Sequence, residues 1–263
     1  MPSNLDGFYE RILSKIPPED FALASRVLRW LVCSVRPLTL AELTEAIAIS
    51  STLTKMDRST LLNHPEDILD ICGGLVTLDE TTNIVGLAHF SVKEYLTSPR
   101  IATSAPNVVA GYAIDVEGTH VLLAKCCLRY LAFKDFEVGA CVHEHDYKER
   151  VAEYAFLSYA AENWPAHAQH YAHGQNDTMF LALMDVLLDP FATEGNLLAW
   201  AQARHTEGEL GKWERYKGCG HIQTLLKNER DEIEALVRDP WALVGCGCFG
   251  GGSGGGGGPG AAV

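Results

Sequence analysis

The most ordered stretch of hydrophobic and polar positions runs from Val27 to Ile49. Ala24, Val27, Leu28, Leu31, Val32 and Val35 recur at helical spacing and form one apolar face, with Ser25, Arg26 and Arg29 off it. Pro37 lacks a backbone donor and biases Arg36 away from helix, so this helix is predicted to end near Val35. Thr39-Leu40-Ala41-Glu42 then matches a capping box, with the Thr39 hydroxyl serving the Glu42 amide and the carboxylate reaching back. Leu40, Leu43 and Ile47 continue as the apolar face of a second helix.

The pattern on either side extends this unit. Phe8, Ile12 and Ile16 predict a helix over Leu5–Ile16, stopped by Pro17 and Pro18. Pro65 to Cys72 reads as a third helix, with Glu66 and Asp67 at its positive end and Gly73-Gly74 as its stop. Leu75–Leu78 and Ile84–Ala88 read as strands joined by a turn over Asp79–Asn83. Phe90–Leu96 is a further short helix, ended by Pro99. Helices, then a hairpin, then a helix is the order of a winged helix.

Beyond a linker at Pro99–Asn107 the chain reads as helical. Val121–Phe133 is apolar except for Lys125 and Arg129, so it should be mostly buried. Lys148–Trp164 reads as one helix, broken or kinked by Pro165; Thr178–Leu188, Asn196–His205 and His221–Val237 follow. Such helices suggest a bundle or the first turns of a solenoid. From Gly245 the glycine-rich sequence cannot bury a core. The expected fold class is therefore mainly α. A connecting helix (1–18) leads to a winged helix (19–100), a helical domain (101–240) and a disordered glycine-rich tail (241–263).

Composition narrows the functions. The chain has 263 residues, 47% of them hydrophobic, and a formal charge of −13. That charge disfavours nucleic acid and anionic membrane as partners. No run is long and apolar enough to predict a transmembrane helix. The N-terminus lacks a secretory signal, so a cytoplasmic setting is expected and the eight cysteines are read as buried thiols. A winged helix that reads DNA needs basic side chains, yet Ser59 to Val92 contains no Lys or Arg and carries Glu66, Asp67, Asp70, Asp79 and Glu80. DNA-binding regulation is the alternative to a packing role.

Candidate chemistry is thin. Cys141, His143 and His145 alternate but need a fourth ligand, from Cys219 or His221, to close a zinc site. His167, His170 and His173 suit a helix end. Gly245 to Gly250 and Gly251 to Gly255 mimic a dinucleotide turn and a nucleophile elbow without the flanking strand and helix. Paired acids at Glu229, Asp231 and Glu232 belong to a solvated face, and Asn176-Asp177-Thr178 matches a glycosylation pattern that needs export. No catalytic residue, cofactor or metal is assigned, and the chain is not expected to be an enzyme.

Several blocks resemble a known family. Leu5 to Leu13, Ala24 to Leu31, Arg36-Pro37-Leu38-Thr39-Leu40-Ala41-Glu42-Leu43, Cys72 to Val76 and His89-Phe90-Ser91-Val92-Lys93-Glu94-Tyr95-Leu96 are similar to the segment after the NTPase core of fungal NACHT proteins. Those are NLR-like, STAND-type signalling ATPases, often ending in ankyrin repeats. The segment is commonly labelled the GPI inositol-deacylase winged-helix domain. Cys127 to Leu131, and Tyr159 to Trp164 with His167, resemble the helical region that follows. The resemblance implies a non-enzymatic module that packs on a nucleotide-binding module or another protein partner, and a chain that is a piece of a longer protein. It does not bring hydrolysis with it, since neither membrane spans nor a serine triad around Ser91 or Ser253 can be read. Arg29, Trp30, His89 and Tyr95 are the expected inter-element or interface contacts.

Overall fold

The computed structural model of the chain describes residues 3–103, 107–171, 177–188 and 194–206, with position 231. The expected helix at His221–Val237, the glycine-rich tail, and Cys219, His221, His173 and Ser253 lie outside the described residues.

The first helix, α1 (Ser3–Leu13), is followed by α2 (Phe21–Cys33), β1 (Leu38–Thr39) and α3 (Leu40–Ala48). Helix α2 stops before the predicted Val35, because the Val35 amide leaves the helix ladder and donates to the Tyr159 hydroxyl at 3.0 Å. The capping box at α3 is formed: Thr39 Oγ1 accepts from the Glu42 amide, and the Thr39 amide donates to Glu42 Oε2 at 2.8 Å. Helix α4 (Asp67–Ile71) ends at Gly73 and Gly74, whose φ angles of +61° and +83° favour glycine. Strands β2 (Val76–Asp79) and β3 (Ile84–Leu87) form the wing, with Thr77 opposite Gly86 and Leu78 opposite Val85. Strand β1 joins its other side, Leu38 opposite Val85, giving a three-stranded antiparallel sheet of order β1-β3-β2. This strand was not foreseen: two residues carry no readable alternation.

Helix α5 (Phe90–Leu96) closes the winged helix. The stretch read as a linker instead holds α6 (Pro99–Ala102) and the start of α7 (Asn107–Ala110), with Pro99 in the first turn. Ile101 within it is buried, as are Val109 and Tyr112 just beyond, so both short helices are anchored in the core.

Helices α8 (Val116–Leu131), α9 (Glu144–Glu153), α10 (Leu157–Ala168), α11 (Thr178–Leu188) and α12 (Glu194–Thr206) form the helical region, with α8 packed most closely on α10. The helix expected over Lys148–Trp164 is two helices. Its break follows from chemistry elsewhere, since the Phe156 amide donates to the buried Glu45 carboxylate at 3.0 Å. Pro165, expected to break or kink a helix, lies inside α10, which continues to Ala168. A proline there leaves the carbonyl four residues back without its amide. That carbonyl, on Ala161, accepts instead from Trp200 Nε1 of α12 at 3.1 Å. Gly195 lets α12 meet the turn after α8, since a Cβ there would overlap the Glu137 carbonyl. One contiguous core runs from Tyr9 through both regions to Ala203.

Candidate functional site

Aromatic, charged and histidine side chains converge along the seam where the winged helix meets the helical region. Trp30 of α2 is buried edge-on against Phe156, just before α10, and Tyr159 of α10, with ring centroids 5.3 and 5.8 Å away. Arg36 covers the outer side of that cluster. Its guanidinium grips Glu42 in a fork, with Nη2 2.7 Å from Oε1 and Nη1 3.2 Å from Oε2, and lies 4.9 Å from the Tyr159 ring centroid. Glu162 of α10 stands 3.8 Å from Arg36 Nε. The same fork thus steadies the α3 cap and faces the helical region.

Tyr159 begins a chain of hydrogen bonds. Its oxygen accepts from the Val35 amide and pairs with His167 Nε2 at 3.0 Å. His167 Nδ1 in turn pairs with His120 Nδ1 of α8 at 2.8 Å. The His120 ring stacks on His170 with centroids 3.9 Å apart and planes 7° apart. Burial and the neighbouring histidines push His167 down to about 3. Burial, His170 and Lys93 push His120 down to about 4. Both rings are therefore neutral near pH 7, and each has one ring nitrogen to donate and one to accept. The sequence marks His167 and His170 only as helix-end histidines, and His120 on α8 carries no local signal.

Glu45 is the second hub. It is 4% exposed, and its Oε2 accepts from Tyr130 of α8 at 2.6 Å and from the Phe156 amide at 3.0 Å. Arg58 Nη1 lies 3.7 Å from the other carboxylate oxygen. The connector between α3 and α4 is pinned beside it. Arg129 donates to the Ser51 carbonyl, the Lys134 amide to Thr54, and the Met56 amide to Asp135. Arg58 reaches the Glu153 carbonyl and lies over the Tyr154 ring. Sequence reading missed Glu45, Arg36 and Tyr159, because each gains its meaning from a partner far along the chain.

The four residues expected at contacts fall in two places. Trp30 sits at the α2–α10 seam, and Arg29 beside it is half-buried without a hydrogen bond or ion pair among the described residues. His89 and Tyr95 bracket α5. His89 Nδ1 caps the helix by accepting from the Ser91 amide, and lies 2.6 Å from Ser91 Oγ. Ser91 Oγ is also 2.6 Å from the Tyr9 hydroxyl of α1, and the Tyr95 ring packs 5.5 Å from Tyr9. Ser91 is 1% exposed and held on both sides, which is the geometry of a helix cap and not of an accessible nucleophile.

Among the described residues the other candidate side chains stand apart. The Cys141 backbone is clamped by Gln202, with bonds of 2.8 and 3.0 Å, and its thiol is buried while His143 and His145 are exposed. Among the described residues the side chains that converge are His145, Asp146 and Glu149, all exposed on α9. Burial raises the thiols of Cys33 and Cys126 to about 11 and that of Cys72 to about 12, so they stay protonated. On the winged helix, Glu66, Asp67 and Asp70 of the α4 region and Asp79 and Glu80 of the wing are exposed. No helix among the described residues is long and apolar enough to cross a membrane.

Comparison with known proteins agrees with this architecture. The chain is similar to "Azaphilone pigments biosynthesis cluster protein L" of Monascus ruber, at 33% identity over 174 residues. The match covers 64% of this chain and 35% of that protein, so the chain spans about a third of its relative's length. No solved structure matches the chain. Residues 16–110, from just after α1 through α7, match the family described as "GPI inositol-deacylase, winged helix domain", in agreement with the winged-helix fold of that segment.

Proposed function

We propose that the chain is a non-enzymatic regulatory and protein-interaction module, in which the winged helix and the helical region act as one unit. The observation that carries this reading is the charge of the reader surface. The α4 region and wing present five exposed acids, and no Lys or Arg occurs from Ser59 to Val92. Such a surface repels a polyanion, so the fold serves packing against protein. The seam supports the same reading, since Arg36, Tyr159 and Glu45 are spent on holding the two regions together.

The finer reading is a segment of an NLR-like, NACHT-type signalling protein. Its partner would be a nucleotide-binding module supplied by a longer polypeptide or in trans, in the cytoplasm, where buried thiols stay reduced. Two things support it: the sequence blocks that resemble the post-NTPase segment, and a relative nearly three times as long as the aligned portion. Arg29 and the exposed His89 are the proposed contact positions, with Trp30 and Tyr95 behind them.

The test mixes the full chain with a separately expressed NACHT-type nucleotide-binding module and measures the mass of the complex by light scattering after gel filtration. A stoichiometric complex weakened by Arg29→Glu is expected. Fluorescence anisotropy with a mixed-sequence DNA duplex at low salt is run in parallel. Salt-sensitive DNA binding without any protein complex would replace this reading with DNA-binding regulation.

A further inference from the structure

Of the eleven prolines in the chain, Pro99 alone follows a serine or threonine. The serine, Ser98, has an extended backbone at φ −77° and ψ 142°, and Pro99 and Arg100 beside it are exposed. A serine with extended backbone followed directly by an exposed proline, here the first residue of the single-turn α6, carries the chemistry that a proline-directed kinase recognises. A basic group already points at the hydroxyl: Arg100 Nε lies 3.0 Å from Ser98 Oγ. The same guanidinium ties down α1, because its Nη1 lies 2.7 Å from Asp6 Oδ2. Asp6 Oδ1 is buried without a hydrogen-bond partner among the described residues, so this carboxylate depends on Arg100.

We propose that Ser98 is a phosphorylation site for a proline-directed serine/threonine kinase, and that its phosphate loosens the seat of α1. In the transfer, Ser98 Oγ forms a bond to the γ-phosphorus of ATP. The bond from that phosphorus to the bridging oxygen breaks, ADP leaves, and the hydroxyl proton passes to the base of the kinase. The product carries close to two negative charges beside Arg100. An Asp6–Arg100 pair of zero net charge becomes a triad of net charge near −2. Phosphate and Asp6 then repel each other across a guanidinium that both require, and Asp6 Oδ1 has no second partner among the described residues. Helix α1 remains attached through Leu13 and the Tyr9–Ser91 bond, so it loosens without leaving. This inference goes beyond the docking role proposed above and stands or falls separately from it.

The test uses the full chain, a purified proline-directed kinase and ATP. Phosphate is expected on Ser98, located by fragmentation mass spectrometry, and absent there in Ser98→Ala. Amide exchange over residues 3–13 should speed up by about threefold or more in the phosphorylated chain, in line with the loss of a partly exposed ion pair, while α8 and α10 stay unchanged. The Asp6→Asn chain should accept phosphate equally well and show the same α1 exchange with and without it. Failure of the folded chain to take phosphate at Ser98 overturns the proposal. So does unchanged α1 exchange, or an Asp6→Asn chain that still loosens on phosphorylation.

Discussion

Replacing Glu45 with alanine should uncouple the winged helix from the helical region. The carboxylate accepts two hydrogen bonds through Oε2, from the Tyr130 hydroxyl at 2.6 Å and from the Phe156 amide at 3.0 Å. Tyr130 and Phe156 are both fully buried, so neither donor can turn to water after the substitution. A buried donor left unpaired costs about 1–3 kcal/mol, so the two together should cost about 3–4 kcal/mol. Arg58, half exposed and 3.7 Å away, adds little. For an ordered domain of this size each kcal/mol moves the melting temperature by about 2–4 °C, which predicts a fall of roughly 6–15 °C. Tyr130→Phe removes one donor together with its demand and should cost about 1 kcal/mol. In the double variant only the Phe156 amide is orphaned, so the combined loss should fall short of the sum by about 1 kcal/mol or more. Urea unfolding followed by circular dichroism, with all four proteins in one cycle, measures both quantities. A loss below about 1 kcal/mol for Glu45→Ala, or strict additivity with Tyr130→Phe, would refute the claim that this carboxylate fastens the seam.

Three further outcomes follow from the same structure. His167 and His120 are held neutral in the fold, near 3 and 4, against 6.5 for the free side chain, so the unfolded chain takes up protons that the folded chain refuses as pH falls below about 6.5. Their contribution is absent above about pH 7, and His167 alone should cost about 2 kcal/mol of stability at pH 5; urea titrations at pH 7.5 and 5 should show a decline that His167→Gln flattens. Trp200→Phe orphans the Ala161 carbonyl and should cost about 1–3 kcal/mol, and Pro165→Ala in that background should restore part of it by resupplying an amide inside α10, measured by calorimetry. Gly195→Ala forces a methyl into the Glu137 carbonyl and should destabilise by about 2 kcal/mol or more, with faster amide exchange at α12 than at α3.

Periodicity marks where one face of an element must meet a core, and the winged helix was legible for that reason. The capping box at Thr39 and Glu42, the glycine stop after α4 and the wing are local chemistry, complete within a few residues, and each is present in the structure. Where the reading departed from the fold, a distant partner had intervened. Helix α2 ends early because Tyr159 captures the Val35 amide from 124 positions away. The helix expected over Lys148–Trp164 divides because Glu45 claims the Phe156 amide across 111 positions. Pro165 is carried inside α10 because Trp200 satisfies the carbonyl that proline abandons. His120, Tyr159 and Glu45 look from sequence like ordinary helix positions, because the partners that define them lie far along the chain.

The sequence by itself determined the order of the winged-helix elements apart from β1, and the acidic character of the α4 region and wing. These depend on which residues stand where along the chain, and charge needs no fold to be counted. Only the tertiary structure decided that the winged helix and the helical region share one core, that Glu45 and Tyr159 fasten them, and that His167 is held neutral between Tyr159 and His120. Each of those depends on burial and on the direction of a hydrogen bond between residues far apart in sequence. Such properties exist only once the chain has closed on itself and removed those groups from water.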